Sequence, residues 1–115
     1  MYRWYMIRKE LVAASAEPLV LSILSKGENY GYAIIREVKA RSGHKLQWTD
    51  GMLYPVLHRL ERNGWIKSRW VVSDGGRKRK YYSIKEDGKK ALQKQTDQWT
   101  LVHSVLTDLW RESYV

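Results

Sequence analysis

The sequence predicts a mainly α-helical fold with one small β-hairpin, in the α+β class. Apolar residues recur at helical spacing through most of the chain. The stretch from Trp65 to Ile84 instead partly alternates aromatic or β-branched residues with polar ones, around a glycine-rich turn. The last segment contains neither glycine nor proline after Gly88. Together these patterns predict several helices, then a hairpin, then one long final helix.

Length and charge limit the possible functions. The chain has 115 residues, enough for one domain with a modest core. Its net charge is +9, and the segment from Arg62 to Lys94 has 11 basic and 3 acidic residues, so +8 of that charge lies there. A positive field this concentrated attracts polyanions, and binding through it weakens with salt. Nucleic acid is therefore the expected partner.

Several other functions find no support in the composition. The chain has no cysteine, so disulfides and thiolate metal sites are excluded. Its histidines (His44, His58 and His103) fall on separate predicted elements, and no glycine-rich phosphate loop joins a strand to a helix. No apolar run approaches the ~20 residues that span a bilayer, and the N-terminus lacks a signal-peptide pattern. We therefore expect a cytoplasmic protein that is not an enzyme, needs no metal or cofactor and does not enter a membrane.

Two helices are predicted in the first part of the chain. The first covers residues 4–26 and ends at Gly27, and Pro18 should kink it or divide it into an arm of about 4–15 and a core helix starting near 17. Residues 28–32 are predicted to turn into a second helix, roughly 30–42, which Gly43 ends. The expected core side of the second helix carries Ala33, Ile34 and Val38.

The third helix is predicted over residues 49–63. Thr49 or Asp50 can cap its first turn, and Gly64 stands where a left-handed residue ends a helix. Pro55 removes one backbone hydrogen bond. Spacing at 100° per residue separates a core face from an outer face. The core face carries Leu53, Val56, Leu57 and Leu60; the outer face carries Gly51, Pro55, His58, Arg59 and Arg62, with Tyr54 at the flank. For an isolated helix, such an outer face is more often simply solvated.

The hairpin that follows favours a functional interpretation of that face. Strands are predicted at 65–72 and 80–84, joined by a turn at 73–76, and the basic run from Arg77 to Lys80 occupies the tip and the start of the return strand. A helix followed by a basic hairpin is the outline of a winged helix-turn-helix, in which the helix enters the major groove and the wing lies on phosphates or in the minor groove. The alternative is a solubilising basic loop.

The final helix is predicted from about Glu86 to Glu112, with an apolar stripe at heptad spacing. Two such helices, one from each copy, would bury the stripe in a two-fold dimer, which suits palindromic DNA. The alternative is a helix that folds back on its own domain. The stripe consists of Leu92, Trp99 and Leu106, of Gln95, Val102 and Leu109, and of Val105 and Trp110.

The tryptophans supply much of the aromatic bulk, since phenylalanine is absent. Periodicity alone makes Trp99 a core residue more readily than a platform on which a flat ligand stacks. We interpret the others (Trp4, Trp48, Trp65, Trp70 and Trp110) as core or dimer packing. Tyr30 and Tyr32 either support the core or touch phosphate.

Four sequence blocks resemble the PadR family of transcriptional regulators. They are Tyr30-Gly-Tyr-Ala-Ile-Ile35, Gly51-Met-Leu-Tyr-Pro-Val-Leu-His-Arg-Leu-Glu61, Asn63-Gly-Trp-Ile66 and Gly76-Arg-Lys-Arg-Lys-Tyr-Tyr82, followed by Gly88 and Trp99. The resemblance covers about residues 10–109 and is strongest to the short subfamily, which includes multidrug-responsive repressors. It implies a winged-helix homodimer that binds an inverted-repeat operator in double-stranded DNA, represses it, and releases it when a small molecule binds.

The resemblance also implies sites. DNA contacts are expected at Tyr32, Thr49, Gly51, Met52, Tyr54, Pro55, His58, Arg59, Gly76, Arg77, Lys78, Arg79 and Lys80. A flat aromatic effector is expected at the dimer interface against Trp99, with Leu11, Ala14, Ser15, Pro18, Gln95, Val102 and His103 as candidate walls. Pro18 and His103 depart from the drug-binding members, so the resemblance implies no preference for cationic drugs.

Two further expectations complete the interpretation. Residues 1–84 should form the winged helix-turn-helix domain and residues 85–115 the dimerisation helix, within one compact unit. The alternative function is a non-specific basic nucleic-acid-binding protein of the nucleoid type, without an effector.

Overall fold

The computed structural model describes residues 7–112. Within them the chain forms α1 (Lys9–Ser25), β1 (Asn29–Tyr30), α2 (Gly31–Arg41), α3 (Asp50–Arg62), β2 (Ile66–Val72), β3 (Lys78–Ile84) and α4 (Glu86–Glu112). The predicted fold class is confirmed: α2 and α3 form a helix-turn-helix, β2 and β3 form the hairpin, and the final helix has the predicted bounds.

Helix α1 corrects the prediction about Pro18, because it runs unbroken from Lys9 to Ser25 with the proline inside it. A proline in a helix interior costs about 3 kcal/mol. The residues that follow it include Val20, Leu21 and Leu24, which are buried. Each such side chain contributes roughly 1.5–3 kcal/mol on burial, so packing outweighs the lost hydrogen bond. Ile7 and Arg8 precede the helix, and the predicted start at residue 4 lies outside the described residues.

The segment predicted as a turn at 28–32 contains a strand instead. Asn29 pairs with Tyr82 and Tyr30 with Tyr81, both antiparallel, so the sheet has the order β1-β3-β2. Helix α2 therefore begins at Gly31, one residue after the predicted start. A strand of two residues is too short to show a period of two, which is why the sequence pattern did not reveal it.

The core lies between α1, α2, α3 and the sheet. The predicted inner face of α3 is confirmed, since all four of its apolar residues are buried, and Ile34 and Val38 of α2 are buried beside them. Trp48 and Tyr82 complete this core. Ala33 is only half-buried. The recognition helix is thus held from below by a continuous apolar cluster.

Helix α4 meets this core only at its beginning. Gly88 is its one fully buried residue among those described, and Leu92 packs against the core. A Cβ at Gly88 would lie 2.1 Å from the carbonyl oxygen of Trp65, so the helix backbone passes directly over the start of β2. The stripe from Trp99 onward stays exposed, so no described residue of the chain covers it. Among residues 7–112, no helix is both long and apolar enough to cross a bilayer.

Candidate nucleic-acid interface and the adjoining α1–α4 cleft

Helix α3 is positioned by its two ends. Thr49 occupies the cap position with extended backbone, and its carbonyl accepts hydrogen bonds from Met52 N (3.1 Å) and Leu53 N (3.0 Å); its side chain makes no capping bond. Asp50 lies in the first turn, where a carboxylate favours the positive end of the helix dipole. Gly64 has φ of 77° and ends the helix as predicted.

Tyr54 anchors the outer face of α3 to the start of α2. A Cβ at Gly31 would lie 2.7 Å from the Tyr54 hydroxyl oxygen, so this tyrosine packs over Gly31 because glycine leaves the space. The His58 ring lies 6.4 Å from the Tyr54 ring. Gly51, Met52, Tyr54, Pro55 and His58 are all exposed. The outer face therefore presents small, polar and aromatic groups to solvent.

The hairpin turn projects the basic run. Ser73 N donates to the Arg77 carbonyl at 2.9 Å, and Gly76 closes the turn with φ of 79°. The Arg79 guanidinium lies 4.5 Å above the Tyr30 ring, a cation–π contact that holds it toward α2. Lys80 lies 6.0 Å from the ring of Trp70. Trp70 is 64% exposed, so its interpretation as a core residue was wrong.

A concave cleft of about 520 Å³ separates the hairpin from α2 and α3. We call it the wing cleft. Four of its lining residues are cationic, four are aromatic and none is acidic, so it suits a polyanion. It is lined by Tyr30, Gly31, Tyr32, Tyr54, Trp70, Arg77, Lys78, Arg79 and Lys80.

An ion pair across the sheet braces the wing. Arg69 Nε and Nη2 donate to the two carboxylate oxygens of Glu28 at 3.1 and 2.5 Å, linking β2 to the segment before β1. The hydrogen bond from Arg69 lowers the pKa of Glu28. Beneath the wing, burial raises the pKa of Tyr82 to about 12, and Tyr54 and Glu61 raise it further. The brace holds the outer strand in register with β1 across β3.

Not every expected DNA-contact residue lies in the wing cleft. Gly51, Met52, Pro55 and Arg59 border a second groove of about 300 Å³ between α1 and α3. There the Arg59 guanidinium pairs with Glu17 of α1, with Nε 2.6 Å from Oε2. Thr49 caps the helix and His58 stands beside Tyr54. The outer face of α3 thus borders two concave surfaces.

Sequence reasoning missed two residues of the wing cleft, Tyr30 as part of a strand and Trp70. The antiparallel pairing of Trp70 with Lys80 places both on one face of the hairpin. That pairing follows from the turn position, so counting residues back from the turn was a usable signal for Trp70. No such signal existed for Tyr30, because its strand depends on contact with β3.

A third concave region, which we call the α1–α4 cleft, has a volume of about 280 Å³. It brings together four of the predicted effector-site residues: Ser15, Pro18, Gln95 and Trp99. Leu11, Ala14, Val102 and His103 do not line it and are exposed. Within residues 7–112, no group of three or more His, Cys, Asp or Glu side chains is arranged to hold a metal ion.

The helix-turn-helix, the basic hairpin and the cleft between them define a winged helix-turn-helix DNA-binding protein. Residues 20–94 match the model of the transcriptional regulator PadR-like family. The chain belongs to this family, whose members are transcriptional regulators that bind DNA and are not enzymes.

Individual relatives agree with this assignment. An uncharacterized protein of Lysinibacillus sphaericus is 33% identical over 108 residues, which are 93% of this chain and 97% of that protein. The negative transcriptional regulator PadR of Bacillus subtilis (strain 168) is 25% identical over 84% of this chain and 50% of its own length. The crystal structure of a PadR family transcription regulator from hypervirulent Clostridium difficile R20291 has a TM-score of 0.73 and 32% identity, covering 83% of this chain and 97% of that one.

Proposed function

We propose that this regulator is a homodimeric repressor that binds an inverted-repeat operator through α3 and the wing. We further propose that a planar aromatic molecule bound in the α1–α4 cleft, at the dimer interface, releases it. The wing cleft carries the proposal: it joins the outer face of α3 to four cations and contains no acidic residue. Repression is supported by the Bacillus subtilis relative, which is a negative transcriptional regulator.

The wing cleft divides the DNA contacts between two elements. The exposed face of α3, with Gly51, Met52 and Tyr54, enters the major groove and contacts base edges. Residues 76–80 of the wing bind phosphates on the flanking backbone, which fixes the register of α3 without reading sequence. Tyr32, exposed at the start of α2, binds phosphate at the opposite wall of the cleft.

The exposed stripe of α4 supports the dimer. Trp99, Val102, Val105 and Leu106 are 38–56% exposed on one helix, and an apolar surface of this kind marks an interaction site. Pairing with the same stripe of a second copy closes the assembly with two-fold symmetry. Two recognition helices related by that symmetry match an inverted repeat.

The effector site is supported by the position of Trp99. Its side chain borders the α1–α4 cleft and is 40% exposed, so one face of the indole is available to a flat ring. Offset stacking on an indole contributes apolar area and favourable quadrupole geometry. Because the cleft adjoins the α4 stripe, a ligand there would contact both protomers of the dimer.

Variants of the wing cleft test the DNA contacts. We expect Tyr54→Ala, and the double change Lys78→Ala with Arg79→Ala, to weaken operator binding at least tenfold, and the double change to reduce the salt slope by about two. Operator fragments selected from random DNA and titrated in gel shifts supply the measurement, with sedimentation to monitor the dimer. Lys90→Ala with Lys94→Ala, an equal charge change on α4, should have a much smaller effect.

The same titrations separate the proposal from its alternative. The net charge of +9 also suits a non-specific nucleic-acid-binding protein. A specific repressor binds its selected fragment roughly 10³-fold or more tightly than random duplex at fixed salt. Equal affinities for both duplexes would instead establish the non-specific function, and an unchanged affinity of the Tyr54 variant would contradict the site.

A second prediction concerns Trp99. Replacing Trp99 with alanine should abolish the quenching of tryptophan fluorescence by a flat aromatic compound such as 9-aminoacridine, because the stacking face is lost. Trp70→Ala is the matched control, since that exposed tryptophan lies on the wing and outside the α1–α4 cleft. Quenching of the Trp99 variant with unchanged affinity would place the ligand elsewhere.

A further inference from the structure

Three helices are joined by one chain of polar side chains. Arg59 of α3 donates from Nε to Glu17 Oε2 of α1 at 2.6 Å. Gln95 of α4 donates from Nε2 to the other oxygen of the same carboxylate at 3.4 Å. Gln95 also lines the α1–α4 cleft, and Arg59 lies on the recognition helix. The carboxylate of Glu17 therefore touches both proposed sites of the protein at once.

The chemistry of the carboxylate fixes the orientation of the Gln95 amide. A carboxylate only accepts hydrogen bonds, so the amide nitrogen must face Glu17. The amide oxygen, Oε1, is then left buried, and it has no hydrogen-bond partner within residues 7–112. A buried carbonyl without a donor is unfavourable, so this oxygen favours any group that can donate to it.

We infer that the α1–α4 cleft selects planar aromatic molecules that carry an O–H or N–H donor, and that Glu17 couples their binding to Arg59. This inference rests on the proposed function. The ligand donates to Gln95 Oε1, which polarises the amide and strengthens its hydrogen bond to Glu17. The strengthened network holds the Glu17 carboxylate against Arg59.

Arg59 is the output of this coupling. Its side chain is 42% exposed on α3, whereas that of Glu17 is 23% exposed, so the guanidinium is the more accessible partner. A DNA phosphate and Glu17 compete for the same guanidinium, because both are anions that bind its N–H groups. An occupied cleft favours the pair with Glu17, so effector and operator oppose each other, and the opposition is reciprocal.

The test measures operator affinity by fluorescence anisotropy with two matched compounds. 2-Naphthol carries an O–H donor, and 2-methoxynaphthalene has the same ring system without one. We expect 2-naphthol to weaken operator binding of the wild-type dimer by about tenfold, within the usual range of allosteric coupling, and 2-methoxynaphthalene to have little effect. Gln95→Leu should bind the two compounds with equal affinity.

Glu17→Gln provides a readout that needs no ligand. It removes the competing charge, so operator binding should tighten about threefold to tenfold, and the 2-naphthol effect should disappear. Adding Arg59→Ala should cancel the gain. Glu37→Gln, in a carboxylate paired with Arg41 within α2, and Gln93→Leu, on α4 beside Asp97, are the matched controls and should change neither quantity. Melting curves verify that each variant is folded.

The outcomes separate the coupling from the proposed function. If wild-type protein responds to 2-naphthol but folded Glu17→Gln keeps the wild-type affinity and response, the coupling is wrong and the effector site stands. If wild-type operator binding ignores both compounds, the donor-bearing ligand class and the effector part of the proposed function fail together. If Gln95→Leu still prefers 2-naphthol, the acceptor is not Gln95.

Discussion

Helices α3 and α4 carry the same kind of apolar stripe, but the two stripes are covered in different ways. In α3, Leu53, Leu57 and Leu60 are fully buried within the chain. In α4, Val102 and Val105 are 56% and 51% exposed, although their spacing is just as regular. Helical periodicity therefore shows that a face is apolar and does not show what will cover it.

Length explains the difference. Helix α3 has 13 residues and lies against α1, α2 and β2. Helix α4 has 27 residues and is roughly 40 Å long at 1.5 Å per residue, longer than the 34 Å second dimension of the molecule. Its first turns reach the core at Gly88 and Leu92, and the rest extends past the available surface. A second copy is the simplest source of the missing surface.

The largest expected effect breaks the contact where α4 meets the core. Gly88→Ala would place a Cβ 2.1 Å from a backbone oxygen, which cannot rotate away as a side chain can. We expect the free energy of unfolding to fall by about 3 kcal/mol or more, measured by urea denaturation. Gly75→Ala is the control, because no atom lies within 4 Å of its added Cβ. Equal stability of the two variants would contradict this packing.

A smaller effect is expected where α4 leaves the core. Leu106→Glu adds a charge to the stripe, so the proposed dimer should weaken roughly 30-fold or more, as when an interface anchor is lost. The protomer should stay folded, because Leu106 is 38% exposed and lies outside the core cluster. Sedimentation over a concentration series, with circular dichroism, measures both quantities.

Ser104→Glu tests whether position matters as well as charge. It introduces the same charge on the opposite face of the helix, where the side chain bonds only to the Leu101 carbonyl. It should leave the dimer intact. Two variants with equal dissociation constants would show that the stripe is not the interface.

The comparison also explains how much of the fold was predictable. The bounds of α4, the inner face of α3 and the hairpin follow from local patterns: an uninterrupted helical period, capping signals and a glycine turn. The errors at Pro18 and Asn29 have a common cause. In both places distant contacts, with the core and with β3, outweigh the local preference of the chain.

The candidate sites divide in the same way. The basic wing was visible as a run of four cations, and Tyr54 as a flanking aromatic residue on a capped helix. The pairing of Arg59 with Glu17 was not visible, because the two residues are 42 positions apart and meet only after α1 packs on α3. The spacing within α3 predicted the outer face correctly, but it gave no information about the helix beside it.

The smallest expected effect sharpens the comparison at the buried side of α3. Tyr82 is 1% exposed, and its hydroxyl has no hydrogen-bond partner within residues 7–112. Removing that hydroxyl in Tyr82→Phe should therefore change the free energy of unfolding by no more than about 1 kcal/mol at pH 7. Urea denaturation of both proteins at several pH values provides the measurement.

The difference between the two proteins should depend on pH in one direction. Burial raises the pKa of Tyr82 from 10.0 to about 12, so the folded chain keeps its phenolic proton at a pH where the unfolded chain loses it. The wild-type protein therefore loses stability as pH rises from about 10 to 12, by about 1 kcal/mol at pH 11, and Tyr82→Phe does not share this loss. Tyr81→Phe, on the half-buried neighbouring position, controls for general alkaline unfolding. A wild-type to Tyr82→Phe difference that is the same at pH 7 and pH 11 would mean that this hydroxyl is not held in an apolar environment beneath α3.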